Sequence, residues 1–161
     1  MKNTIATCIL LLISSITYSQ DTIDDTYTQK VNLEALKLVE KYQFYYDMRK
    51  DRDYNNFENL FVDENSEVNN DIMPDNNLNQ NVKIKDYLFL ILDNYKKPMQ
   101  VEIEPSEISS IRDYVNGKGE LSVFVKKKIS GDTNKNINYE DTFDAEIIIE
   151  FNLNENLYQI K

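Results

Sequence analysis

Between Ala145 and Leu153 the apolar residues fall on every second position. Ala145, Ile147, Ile149, Phe151 and Leu153 share one side, with Asp144, Glu146, Glu150 and Asn152 on the other. Alternation this long predicts a strand with one buried and one solvated face. Such a strand needs neighbours of the same build, and the residues around it supply them. Val101 and Ile103 alternate with glutamates, and Leu121, Val123 and Val125 alternate up to Lys126-Lys127-Lys128. Asn116-Gly117-Lys118-Gly119 has turn chemistry that tolerates positive φ, and Asn154-Glu155-Asn156 turns the chain into a last strand, Leu157 to Ile160. Ser130 to Asn138 reads as a long polar connection. One-sided strands joined by turns predict a mainly antiparallel sheet. The three lysines are expected where a strand meets a loop, guarding a sheet edge.

The first half of the chain has the other period. Ala35, Leu38, Val39, Tyr42, Tyr45 and Tyr46 form one stripe of a 3.6-residue repeat, with Asn32 as N-cap and Glu34 in the first turn. Asp53 caps a short second helix that turns Tyr54, Phe57, Leu60 and Phe61 inward. Ser66 to Ile72 alternates weakly and is read as a strand, and Pro74 to Asn81 as a polar loop. Ile84, Tyr87, Leu88, Ile91 and Tyr95 recover the helical period, although Phe89, Leu90 and Leu92 are apolar too. A buried strand over Tyr87 to Leu92 is the rival there, and the interval to Pro98 suits a three-turn helix better. Helices first and then a sheet burying one face is an α+β layout, with helices packed on a curved, mainly antiparallel sheet.

That order of elements resembles the nuclear transport factor 2-like superfamily. The resemblance rests on Leu33–Met48, Tyr54–Phe61, Ile84–Tyr95 and the strands ending Leu157-Tyr158-Gln159-Ile160, and it spans Asn32 to Lys161 as a single domain. It implies a cystatin-like cone in a secreted bacterial protein, with the sheet wrapped around the first helix. In that family the mouth of the cone binds small hydrophobic ligands, and some members catalyse there. Ketosteroid isomerase and related dehydratases combine a helix tyrosine with aspartates in such a cavity.

Residues 1–19 have the build of a secretory signal peptide. Lys2 is the positive end, Ile5 to Ile16 the apolar stretch, and Thr17 and Ser19 small residues ahead of a cut. The apolar run is too short to span a bilayer. The mature chain is thus expected to begin at Gln20, with residues 20–31 a flexible leader, and to be periplasmic or extracellular. In the leader, Asp21-Thr22-Ile23 resembles an Asp-Thr-aliphatic acceptor for O-glycans.

Cleavage would remove the only cysteine, Cys8, and the chain has no histidine. Thiol nucleophiles, disulfides, serine–histidine catalysis and ordinary zinc sites are thereby closed to the mature protein. Neither a cofactor nor a metal is expected. Two acidic loops, Asp63 to Glu67 and Asp132 to Asn138, have alternate oxygens. They lack the glycine and the terminal glutamate of a helix–loop–helix calcium site. The net charge of −10 makes nucleic acid and anionic membrane poor partners, and a basic protein or a cationic ligand better ones. The chain holds 11 tyrosines, but an A- and T-rich codon bias enriches Tyr, Asn, Ile and Lys without regard to function.

Two functions remain. The first is an exported, non-catalytic binding or accessory domain of the bacterial envelope, recognising a small hydrophobic ligand or a protein partner. Its candidate ligand-binding residues are Tyr42, Tyr45, Tyr46, Phe57, Phe61 and Tyr87. Two copies pairing through the open sheet is a further arrangement. The second is an isomerase- or dehydratase-type enzyme, with Tyr42, Tyr45 or Tyr46 as donor and Asp71 as base. The absence of histidine and of a catalytic motif favours the first.

Overall fold

A computed structural model describes residues 23–46, 54–72, 81–95 and 99–161. The expected signal peptide, the cut before Gln20, Thr22 and most of the Pro74–Asn81 loop lie outside the described residues. Along the chain run α1 (Asp25–Tyr46), α2 (Tyr54–Glu58), β1 (Glu67–Asn69), β2 (Asn81–Lys83) and α3 (Ile84–Asn94). There follow β3 (Gln100–Ile108), β4 (Arg112–Val115), β5 (Lys118–Asp132), β6 (Asn138–Asn152) and β7 (Leu157–Ile160). The fold is α+β. Its main sheet is antiparallel, with β3, β5, β6 and β7 in that order and β4 also on β5, while β1 and β2 form a separate hairpin.

The alternation read from the sequence sets the faces of the sheet. Val101, Ile103, Leu121, Val123, Val125, Ile129, Ile147, Ile149 and Phe151 are buried beneath the helices, and Glu102, Glu104, Lys126, Asp144 and Glu146 face outward. Asn116 and Gly117 take φ of 52° and 82°, the paired left-handed residues of a tight hairpin turn, and Asn156 takes 51° in the last turn.

Three expectations give way. First, α1 starts at Asp25, so residues 25–31 of the expected leader are helix. Asp24 caps it in place of Asn32, its carboxylate accepting from the Thr26 N–H at 2.8 Å. Val31 is fully buried, one turn before Ala35 on the apolar stripe.

Second, the polar connection is shorter than Ser130–Asn138: Ser130, Gly131, Asp132 and Asn138 belong to strands, and 133–137 join them. β5 and β6 pair continuously from Lys118↔Asn152 to Asp132↔Asn138, leaving a short tip. The tip is held by the Asn134 N–H on the Asn94 carbonyl at 2.7 Å, an anchor at the end of α3 that polarity does not advertise.

Third, the lysine triplet guards no edge. Lys126, Lys127 and Lys128 lie in mid-strand on β5, paired to β3 on one side and β6 on the other. Alternation turns Lys126 and Lys128 to solvent and Lys127 inward, where it is 4% exposed.

One irregularity in the sheet creates the site. β7 is short and pairs only with Ile149–Asn152 of β6. The other half of β6 faces the segment that follows α2, which Phe61 joins to Ile160 through a parallel bridge. The space between them is a cavity.

Candidate functional site

The cavity measures about 340 Å³. Phe143, Ala145 and Ile147 of β6 form one wall, Val68 and Asp71 the opposite one, and Tyr42 and Lys127 the floor. Each part arrives from its own element for a simple reason. Lys127 follows Val123 and Val125 on the inner face of β5, so burial is imposed on it by strand alternation. Its register neighbours are Ile103 and Phe143. Tyr42 continues the stripe of α1, and Asp71 stands two residues past β1.

A buried ammonium requires a counter-charge and hydrogen-bond acceptors. Lys127 Nζ donates to Asp71 Oδ2 at 2.8 Å and to Tyr42 Oη at 3.1 Å, with Tyr87 Oη at 3.5 Å. It also lies 5.3 Å from the Tyr42 ring centre and 5.9 Å from those of Tyr87 and Phe143. The Tyr87 hydroxyl donates to the other carboxylate oxygen, Asp71 Oδ1, at 2.6 Å. Two more tyrosines hold the backbone there: Tyr95 donates to the Ile72 carbonyl at 2.6 Å and Tyr139 to the Asp71 carbonyl at 3.4 Å.

The protonation states follow from these contacts. Burial alone would lower the Lys127 value. The Tyr42 oxygen and the Asp71 carboxylate, by charge and hydrogen bond, more than offset it and hold the ammonium above the ordinary lysine value. Burial raises Tyr42, with Asp71 adding to the shift and Lys127 opposing it. Burial first, and then the Asp141 carboxylate, push Tyr139 up to about 12. At the floor, then, both Lys127 and Tyr42 hold their protons more tightly than in water.

The six residues proposed from sequence are divided by the fold. Tyr42 and Phe61 line the cavity. Phe57 packs behind them, 5.3 Å from the Tyr42 ring and 5.5 Å from that of Phe61, and is fully buried in the core. Tyr87 reaches the site through its hydroxyl on Asp71. Tyr45 stands apart, edge-on to the exposed Phe44 ring at 5.3 Å. Tyr46 ends α1, and its side chain lies outside the described residues. The tyrosine that engages Asp71 directly thus comes from α3, not from the first helix.

Sequence reasoning missed Lys127, Phe143 and Val68. The signal for Lys127 was present: Val123, Val125, Lys127 and Ile129 keep period two straight through the triplet. Among the described residues no group of three or more acidic, histidine or cysteine side chains is arranged to hold a metal ion, and no helix is long and apolar enough to cross a membrane.

These features define an α+β domain whose antiparallel sheet carries a cavity lined by apolar and charged side chains, with the Lys127–Asp71 ion pair among them. No protein-family model, no curated protein and no solved structure matches the chain.

Proposed function

We propose that the protein is an exported, non-catalytic binding domain of the cystatin-like, nuclear transport factor 2-like kind, and that the cavity beside Lys127 receives an apolar group of its ligand or partner. The observation that carries this reading is the cavity itself. At about 340 Å³ it falls within the size of ligand pockets, about 300–1,000 Å³. Its lining mixes apolar side chains, among them Phe61, Val68, Phe143 and Ile147, with charged ones, among them Asp71, Lys127, Asp144 and Glu146, so it offers both an apolar surface and polar groups for recognition. The leader at residues 1–19 supports export, and the element order supports the family resemblance.

An enzyme of the isomerase or dehydratase kind is the second reading, favoured by one contact, the Tyr87–Asp71 hydrogen bond beside the cavity. Against it, both carboxylate oxygens are engaged, one by Tyr87 and one by Lys127. A base would first have to leave its ion pair, which makes Asp71 a better anchor than proton acceptor.

Titration of the neutral dye Nile red into the parent protein and into Ala145→Phe, which fills the cavity from β6, tests the binding reading. Saturable fluorescence in the parent and at least tenfold weaker binding in the filled variant is the expected result. Equal binding to both would refute it.

A further inference from the structure

We infer that the free half of β6 is a docking edge for an extended, basic segment of a partner protein. The segment would lie beside Asp144–Ile148, along the cavity. This deepens the binding reading above and rests on it. The Lys161 N–H bonds the Ile148 carbonyl at 2.9 Å, so Ile148 turns its backbone groups toward the β7 side. Alternation then turns the N–H and C=O of Glu146 and Asp144 the same way. Among the described residues no hydrogen bond takes up those groups on that side. They are a template for an added strand.

The surroundings specify what would be added. A strand seated there would alternate its side chains between two environments. Those pointing inward would enter the cavity against Phe143, Ala145, Ile147 and Val68. Those pointing outward would flank Asp144 and Glu146 on β6, with Glu67 also on the lining. Among the described residues the one outer-face cation lining the cavity, Lys161, is already taken by Glu120 and Glu150. The complementary segment therefore alternates apolar residues with lysine or arginine. A net charge of −10 favours the encounter with such a segment. The same carboxylates oppose a second copy, because two β6 edges meeting would set Asp144 and Glu146 against their own counterparts.

The test uses the full chain and three synthetic nonapeptides: alternating Lys and Val, the same peptide N-methylated at every second residue, and alternating Glu and Val. Binding and amide exchange are read by NMR, with Nile red occupancy of the cavity measured in parallel. The Lys–Val peptide is expected to bind saturably, slow exchange at the Asp144 and Glu146 amides at least tenfold, and displace the dye. The N-methylated and Glu–Val peptides are expected to bind at least tenfold more weakly. Asp144→Pro removes only an outward N–H, which an edge strand tolerates, and is expected to abolish docking. The double substitution Asp144→Asn/Glu146→Gln keeps the backbone and should weaken docking roughly tenfold.

Dye binding without amide protection by the Lys–Val peptide overturns the docking edge and leaves the cavity reading intact. Absence of both overturns both. Equal binding of the Glu–Val peptide refutes the basic class, and amides already protected in a dimer of the free protein would assign the edge to a second copy instead.

Discussion

Lys127 Nζ lies 2.8 Å from Asp71 Oδ2, with the two side chains only 5% and 10% exposed. The pair joins the middle of β5 to the segment after β1, across 56 positions of sequence. It fixes the far wall of the cavity to its floor, so the shape of the site depends on one ion pair. The hydroxyls of Tyr42 and Tyr87 share in satisfying it.

Breaking that pair should cost far more than deleting it. Lys127→Met leaves a buried carboxylate without its cation and is expected to lower stability by about 3–5 kcal/mol. Lys127→Met/Asp71→Leu replaces both ions by apolar groups and should recover most of the loss. Lys128→Ala on the outer face, where Lys128 pairs with Glu140 in solvent, should stay within about 0.5 kcal/mol of the parent. Urea unfolding of these four proteins and of the single variant Asp71→Leu measures all three, and a double variant as unstable as the sum of its singles would deny that the pair acts as a unit.

Alkaline pH should unfold the protein from the site outward. Tyr42, Tyr95, Tyr139 and Tyr158 are all raised from 10.0, each chiefly by burial, and Lys127 is raised from 10.5. In each case the folded state holds its proton more tightly than the unfolded state does. Their stabilisation is complete below pH about 10 and falls as pH rises toward about 12, where folded Tyr139 titrates. Denaturant midpoints should be flat below that window and drop within it, with late tyrosinate absorbance appearing together with unfolding.

The β4–β5 turn depends on glycine at one position. Gly117 has φ of 82°, and a Cβ there would meet Asn154 Nδ2 at 2.8 Å. That amide donates to the Asn116 carbonyl at 2.8 Å and ties this turn to the last one. Gly117→Ala should cost about 1–2 kcal/mol in thermal or urea unfolding, from left-handed strain and displacement of that amide.

The sheet was legible because its buried face writes a period of two into the sequence, most plainly from Ala145 to Leu153. The helices were legible for the same kind of reason, and Tyr42 was found because it sits on the stripe of α1. Lys127 was hidden by its neighbours. Three lysines in a row read as a solvated end, although only two of them reach solvent. Asp71 is expected as a base on the first strand beside a first-helix tyrosine, but its partners Lys127 and Tyr87 come from β5 and α3 and meet it only in three dimensions. The cavity lies beside the part of β6 that β7 does not pair with, and its lining comes from α1, β1, β5, β6 and β7, which meet only in three dimensions.

Methyl and amide NMR during a Nile red titration tests the central claim most directly, because it locates the bound molecule. Occupancy of the cavity predicts shifts at Val68, Val125, Ala145 and Ile147 that follow one saturating curve, with the exposed helix residues Phe44, Phe89 and Leu92 unmoved. Shifts centred on those three helix residues, or a titration that never saturates at the cavity, would contradict the account.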